Sequence, residues 1–339
     1  MSETRARIGK HVARSDLLHA QPSAAAERND AIIRVGMVRI DAKTFLMGSN
    51  DHYPEEAPAH PVYVDGFWID IMPVTNRQFL EFVNATGHVT VAEKKPVAAD
   101  YPGAAQKNLR AGSMVFIAPS HVVGKPDIYQ WWNYLLGASW RHPYGRKTSI
   151  ATILDHPVVH VAYDDAKAYA AWADKELPTE AEWELAARGG LEAAEYAWGS
   201  EFIPNGQHMA NTWQGRFPNE NLEEDGFYRT SPVGHFPANG YGIHDMIGNV
   251  WEWTVDYWSD AHPEPAAKAC CIPENPRRAE AQASFDPHQP EIKIARRVVK
   301  GGSHLCAPNY CRRYRPAARH AQQEESATSH IGFRCIVRQ

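Results

Sequence analysis

Hydrophobic and polar positions form a clear pattern in only a few places along this chain, and those places predict its elements. "IIRVGMVRIDAKTFL" (32–46) has the β-branched content of a strand pair. "GSNDHYPEEAPAHP" is a turn-rich loop, and "VYVDGFWID" alternates again as a strand. In "PVTNRQFLEFVNATG" the stripe Phe79, Leu80, Phe82, Val83 has helical spacing. Thr75 is its N-cap, Gln78 completes a capping box three residues on, and Gly87 stops it. "HPVVHVAYDDAKAYAAWADKELP" reads as a strand, a short Ala-rich helix and a proline stop. "PTEAEWELAARGG" reads as a further helix, with Thr179 as N-cap, Glu182 at its third position and Gly189 as terminator.

Elsewhere the pattern fades. Residues 90–155 lack strong periodicity, and beyond Gly190 the chain turns into loops rich in Asn, Gly, Asp and Trp. Only short strands fit between those turn signals. No linker or internal repeat interrupts the run. The expected organisation is a flexible arm over residues 1–35 and a single α+β domain over 36–339, low in regular secondary structure.

Composition narrows the function classes. Of 339 residues, 44% are hydrophobic and 22% charged, and the formal net charge is −5, so nucleic acid is not an expected partner. The 11 tryptophans and 24 prolines suit aromatic packing and many turns rather than long helices. No apolar run reaches the roughly 18 residues that cross a bilayer, so no membrane partner is expected. The N-terminal stretch has basic residues without an apolar core, unlike a secretory signal, and a cytoplasmic location is the expectation. There, glutathione keeps structural disulfides rare, and the odd count of five cysteines agrees. Cys270 and Cys271 are adjacent, a spacing that strains any mutual bridge, and read as ordinary thiols in a Pro-rich loop.

Three groups of residues carry candidate chemistry. His156 and His160 have the spacing of a helical zinc pair, but Pro157 and the valines favour a strand and hydrogen-bonded histidines. Asn211, Asp225, Asp245 and Glu252 lie in glycine-turned, oxygen-rich loops that suit Ca²⁺, although solvated turns give the same composition. Cys306 and Cys311 sit in "CAPNYC", with Arg312, Arg313 and Arg315 beside them. Structural zinc needs a second ligand pair, and a thioredoxin-type motif needs C-x-x-C at a helix start. A redox disulfide and a two-thiolate Cu(I) site remain level on chemistry alone. Arginines that point inward would favour the thiolate form.

The chain also carries "GSND" (48–51), "WRHPYG" (140–145), "DHPVVHV" (155–161), "LPTEAEWELAARGG" (177–190), "ANTWQGRFP" (210–218), "NGYGIHDMIGNVWEWT" (239–254), "VVKGGSHLCAPNYCRRYRPAAR" (298–319) and "HIGFRC" (330–335). In these landmarks it resembles the bacterial-type formylglycine-generating enzymes, the sulfatase-modifying factors, from about Gly36 to the C-terminus. The cysteine-bearing segment is the most specific of them. The resemblance implies a fold related to C-type lectins. It implies an oxidoreductase that converts the cysteine of a Cys-x-Pro-x-Arg segment in an unfolded sulfatase to Cα-formylglycine, with O₂ as oxidant and copper as cofactor. Hydrogen leaves the substrate Cβ, and the resulting thioaldehyde hydrolyses to the aldehyde.

Carried over by position, Cys306 and Cys311 would be the Cu(I) ligands. Ser303 would be a polar positioning group, and Trp251 and Tyr310 would line the oxygen and substrate pocket. Two structural calcium sites are implied as well. Asn211 and Asp225, with the carbonyls of Thr212 and Phe227, match the first. Asp245 and Glu252, with the carbonyls of Gly248 and Val250, match the second. Secreted animal relatives carry two disulfides whose positions here are Ala170 with Cys335 and Ala187 with Pro316, so neither can form. The segment Val91–Met114 matches weakly, which leaves the partner of the substrate arginine open. A monomer is the default expectation. One alternative is an iron-dependent sulfoxide synthase of the same fold, which needs a helical N-terminal domain that about 35 residues cannot supply. The other is a non-catalytic binding module, which leaves the cysteine pair unexplained.

Overall fold

The computed structural model describes residues 34–107, 109–120, 127–265 and 271–338; most of the expected N-terminal arm, and Cys270, lie outside them. From Gly36 onward the chain forms one compact unit. Two strands, β1 (Met37–Ile40) and β2 (Lys43–Met47), open it, followed by β3 (His60–Val64) and β4 (Phe67–Asp70). The sequence reads 32–46 as a strand pair, but the two strands separate: β1 pairs with β4, and β2 with β3.

Helix α1 (Asn76–Thr86) forms as its sequence predicts. Thr75 and Gln78 exchange the two hydrogen bonds of a capping box, and Gly87 closes the helix at φ 69°. Such a cap contributes about 1 kcal/mol. The buried stripe sets the Phe79 ring edge-on to Trp140 and stacks it on Tyr169. Each such phenylalanine contributes about 1.5–3 kcal/mol by leaving water.

Next come β5 (Gly112–Phe116) and β6 (Trp132–Leu136), an antiparallel pair inside the segment that lacked periodicity. The expected strand over 155–161 does not form. Its backbone bonds irregular partners instead: Val158 N donates to Val74 O, and His160 N to Thr328 O. His160 sits at φ 59°, outside strand geometry.

Helices α2 (Tyr163–Trp172) and α3 (Glu180–Ala187) follow, then β7 (Trp251–Tyr257), β8 (Arg296–Lys300), β9 (Arg319–Gln323), β10 (Ile331–Gly332) and β11 (Ile336–Arg338). The sheet β10-β7-β8-β9 places the loop that carries Cys306 and Cys311, between β8 and β9. Its register aligns Glu252, Lys300 and Arg319 across three strands, all on one face. That face meets α3, whose eight residues are all buried, three glutamates included. Arg319 bonds Glu180 twice at 2.8 Å, Lys300 meets Glu184 at 2.9 Å, and Arg188 meets Glu184 at 2.6 Å. The opposite face presents Trp251, Trp253 and Val299 to the main aromatic core, which also contains Cys306. Beyond β8, Gly301 and Gly302 turn the chain at φ 94° and 73°. A Cβ on Gly301 would meet Met246 O at 2.8 Å, so only glycine lets the loop leave the sheet here.

Candidate active site

The loop after that glycine pair brings four of the five expected catalytic residues together. Cys306 N donates to Ser303 O at 2.9 Å, and Ser303 N donates back to Cys306 Sγ at 3.4 Å. Cys311 N donates to Ala307 O at 2.9 Å, which folds the second cysteine over the first. The two sulfurs stand 3.1 Å apart. A disulfide is about 2.05 Å long, so these are two thiols in hydrogen-bond contact.

The pair is electrostatically unequal. Burial pushes the Cys306 thiol well up. Cys311 is pulled down to about 7, chiefly by the hydrogen bond from Cys306, against its own burial and with help from Arg313. The proton therefore rests on Cys306, and Cys311 carries the thiolate character.

Aromatic rings wall the loop. Tyr310 stacks on Phe217 with centroids 4.1 Å apart and meets Trp131 edge-on at 5.7 Å. Trp251 reaches the site from β7 through the shared core, and its ring lies 5.6 Å from His320. Ser303 is fully buried, and its hydroxyl accepts from Leu305 N at 3.3 Å, so it braces the loop. The three arginines diverge. Arg312 pairs with Glu195 toward solvent, Arg315 is buried on Glu56, and only Arg313 is set to act on Cys311. Two thiols in an aromatic-lined loop are a donor set that fits a soft monovalent ion such as Cu(I).

The oxygen-rich loops divide into two sets. In the first, Asp225 accepts from Thr212 N at 3.1 Å and from Phe227 N at 3.0 Å, and burial raises its carboxyl. Asn211 Oδ1 is buried there without a hydrogen-bond partner. An orphaned amide oxygen beside a desolvated carboxylate fits a hard cation. The second set fits less well. Glu252 is already bound through both oxygens to Arg334, at 2.7 and 2.8 Å, and accepts from Trp183 Nε1 at 2.7 Å. Its charge is answered before any cation arrives. Among the described residues no three His, Cys, Asp or Glu side chains gather as a metal cluster, so a cation at either set would depend on amide and carbonyl oxygens. His156 and His160 do not converge. His156 meets Thr230 Oγ1, while His160 meets Ser113 Oγ and Pro143 O.

Comparison with known proteins supplies the family. The family model described as "Sulfatase-modifying factor enzyme 1-like domain" matches residues 22–339. The chain belongs to the formylglycine-generating enzyme family. It is 52% identical over 302 residues to the formylglycine-generating enzyme of Mycobacterium tuberculosis, covering 89% of this chain and 97% of that one. It is 44% identical over 322 residues to the formylglycine-generating enzyme of Thermomonospora curvata, covering 91% and 96%. Among solved structures, PvdO from Pseudomonas aeruginosa matches with a TM-score of 0.58 and 25% identity over 89% of this chain and 94% of that one. The mixed α+β architecture with limited regular structure is the fold of this family.

Two features of this site escaped sequence reasoning. The first is a cavity of about 740 Å³, floored by apolar residues including Met114, Leu136 and Ala327. Asp100, Asp164 and Glu325 border it, and so do three lysines, Lys94, Lys95 and Lys107. Burial, then the charges of Asp100, Glu324 and Asp164, push the Glu325 carboxyl up. The cavity shares a face with the thiol loop. On the β5–β6 hairpin, Leu136, Tyr134 and Trp132 sit opposite Gly112, Met114 and Phe116, and the Trp132 end joins the aromatic cluster that holds Trp131 and Phe217. The second is the loop Tyr53–Glu56, which grips residues 312–315. Only its turn residues were visible in sequence.

Proposed function

We propose that this chain is a copper-dependent oxidase that converts the cysteine of a Cys-x-Pro-x-Arg segment in an unfolded sulfatase to Cα-formylglycine with O₂. The observation that carries this reading is the pair of unequal thiols, 3.1 Å apart, set in an aromatic wall. Overall, two electrons and two protons pass from the substrate R–CH₂–SH to O₂, and R–CHS then takes up water to give R–CHO and H₂S. A copper(I) ion held by Cys306 and Cys311 would supply the redox contact between the substrate sulfur and O₂.

The protein's own residues do the rest. Ser303 N holds Cys306 in place, and Arg313 favours the anionic form of Cys311. Tyr310, Phe217 and Trp131 exclude water from the sulfurs, while Tyr310, 43% exposed, offers an edge to an incoming chain. An extended substrate rises about 3.3 Å per residue, so cysteine and arginine four apart are separated by about 13 Å. Trp132 and Leu136 are also four apart on β6, the one beside the thiol wall and the other in the cavity. We therefore seat the substrate arginine in the cavity, its stem on the apolar floor and its guanidinium toward Glu325 and Asp100.

The first calcium set would serve as a structural site, supported by the orphaned Asn211 oxygen. The second remains the weaker of the two. The cytoplasmic reading is supported by Cys335, a buried thiol packed in the same core as Ala170. Among the described residues, no helix is long and apolar enough to cross a membrane. Kinship to C-type lectins rests on the sequence resemblance alone.

The test is direct. Purified chain, Cu(I), air and a Cys-Thr-Pro-Ser-Arg peptide should yield a peptide whose mass reflects replacement of CH₂SH by CHO. No mass change under those conditions returns the chain to the binding-module reading.

A further inference from the structure

The loop Tyr53–Glu56 reaches the thiol site from 258 residues away in sequence. It grips the chain just after Cys311 at successive positions. Tyr53 Oη accepts from Arg312 N at 3.0 Å, and the Arg313 guanidinium lies 3.8 Å over the Tyr53 ring. Glu55 Oε1 accepts from Arg313 Nη2 at 2.5 Å and from Nε at 3.2 Å. Glu56 receives both terminal nitrogens of Arg315. The loop is itself anchored: Ser49 N donates to Glu56 O at 3.0 Å, and Arg319 Nη1 holds Glu55 O at 3.1 Å.

Glu56 and Arg315 are fully buried, so they lock the backbone. Glu55 and Arg313 differ, since their side chains keep 16% and 21% of their exposure. Arg313 has room to leave. Its long stem would gain rotamer freedom in water, and Glu55 is the carboxylate that holds it over Tyr53, clamping the chain two residues after Cys311.

We propose that Glu55 is a positioning residue of the thiol site, acting through Arg313 to hold Cys311 in the arrangement that binds Cu(I). This rests on the copper reading above. Outer partners that orient metal ligands typically contribute 10- to 100-fold in metal affinity. The Glu195→Gln control separates positioning from simple charge. It removes an equal charge from the same neighbourhood, so a Coulomb effect alone would appear in both glutamate variants. Loss of positioning weakens binding in Glu55→Gln alone of the two.

The experiment is anaerobic competition for Cu(I) between the full chain and a chromophoric chelator such as bicinchoninate. Glu55→Gln is expected to weaken binding about 10- to 100-fold. Glu195→Gln removes an equal charge from the exposed Arg312 pair and is expected to leave affinity within about twofold. Arg313→Lys keeps a cation but loses the fork, and is expected to weaken binding too; it carries the test if Glu55→Gln does not fold. If the wild-type chain takes up no Cu(I), the copper reading falls and this inference with it. If wild type binds and both folded variants bind equally or more tightly, the inference alone falls.

Discussion

The two faces of the β10-β7-β8-β9 sheet treat charge in opposite ways. Toward α3, the buried glutamates meet cations: Glu180 with Arg319, Glu184 with Lys300 and Arg188, Glu252 with Arg334, while Asp256 on the same face accepts from the backbone N–H groups of Glu180 and Arg278. Toward the core and the thiol loop lie the two sulfurs in contact with each other, and the cavity along the β5–β6 hairpin mixes three carboxylates with three lysines. Saturated networks fix a fold, whereas unsatisfied groups wait for a ligand. Under the proposed function, the chemistry belongs to the second face and stability to the first.

The sharpest way to break the comparison is at the sulfurs. Cys306→Ala and Cys311→Ser should each abolish peptide conversion while near-UV circular dichroism stays native. Full activity in either would show that the second face is not the chemical one. On the other face, Glu184→Ala leaves Arg188 buried without its carboxylate and Lys300 with only the longer contact to Glu180, at 3.4 Å. It should cost about 3–5 kcal/mol in urea unfolding. A loss below about 1 kcal/mol would mean that water or neighbours replace the carboxylate.

Titration separates single groups. Burial holds His160 down to about 4. Its folded pKa is depressed below the ordinary 6.5, so the stability it brings is full above pH 6.5 and declines as pH falls toward 4. The stability gap between wild type and His160→Gln should narrow over that window by about 1.4 kcal/mol per pH unit. A gap constant from pH 7 to 4 would place the imidazole in a wetter site.

Smaller effects sharpen the assignment of the second face. Glu325→Gln should raise KM for the arginine-bearing peptide about tenfold, equivalent to about 1.4 kcal/mol, with kcat little changed. The same peptide with Gln in place of Arg should not distinguish the variant from wild type. Smallest is calcium. A strong chelator should lower the melting temperature of wild type by a few degrees at most. Asn211→Ala should remove that response, while Asp245→Asn should retain most of it.

How much of this was legible in sequence follows from how local each signal is. The capping boxes at Thr75 and Thr179 depend on residues three apart, and both form as read. The thiol loop was legible because glycines, cysteines and arginines crowd within one segment. The β5–β6 hairpin was not, because β5 is buried at four of five positions and so shows no alternation. The cavity that it lines went unseen with it. Helix α3 showed its cap but hid its surroundings, since glutamates read as a solvated face until Lys300, Arg188 and Arg319 arrive from elsewhere. Glu55 gave no sign at all, because its partner lies 258 residues on.

The central claim is that the Cys306–Cys311 pair, loaded with Cu(I), oxidises a peptidyl cysteine. The most direct measurement counts aldehyde and sulfide together during aerobic turnover of a Cys-Thr-Pro-Ser-Arg peptide. The prediction is one sulfide released per aldehyde formed, only with Cu(I) and O₂ both present, and none from Cys311→Ser. Aldehyde formed equally by Cys311→Ser, or no aldehyde from the copper-loaded wild type, would contradict it.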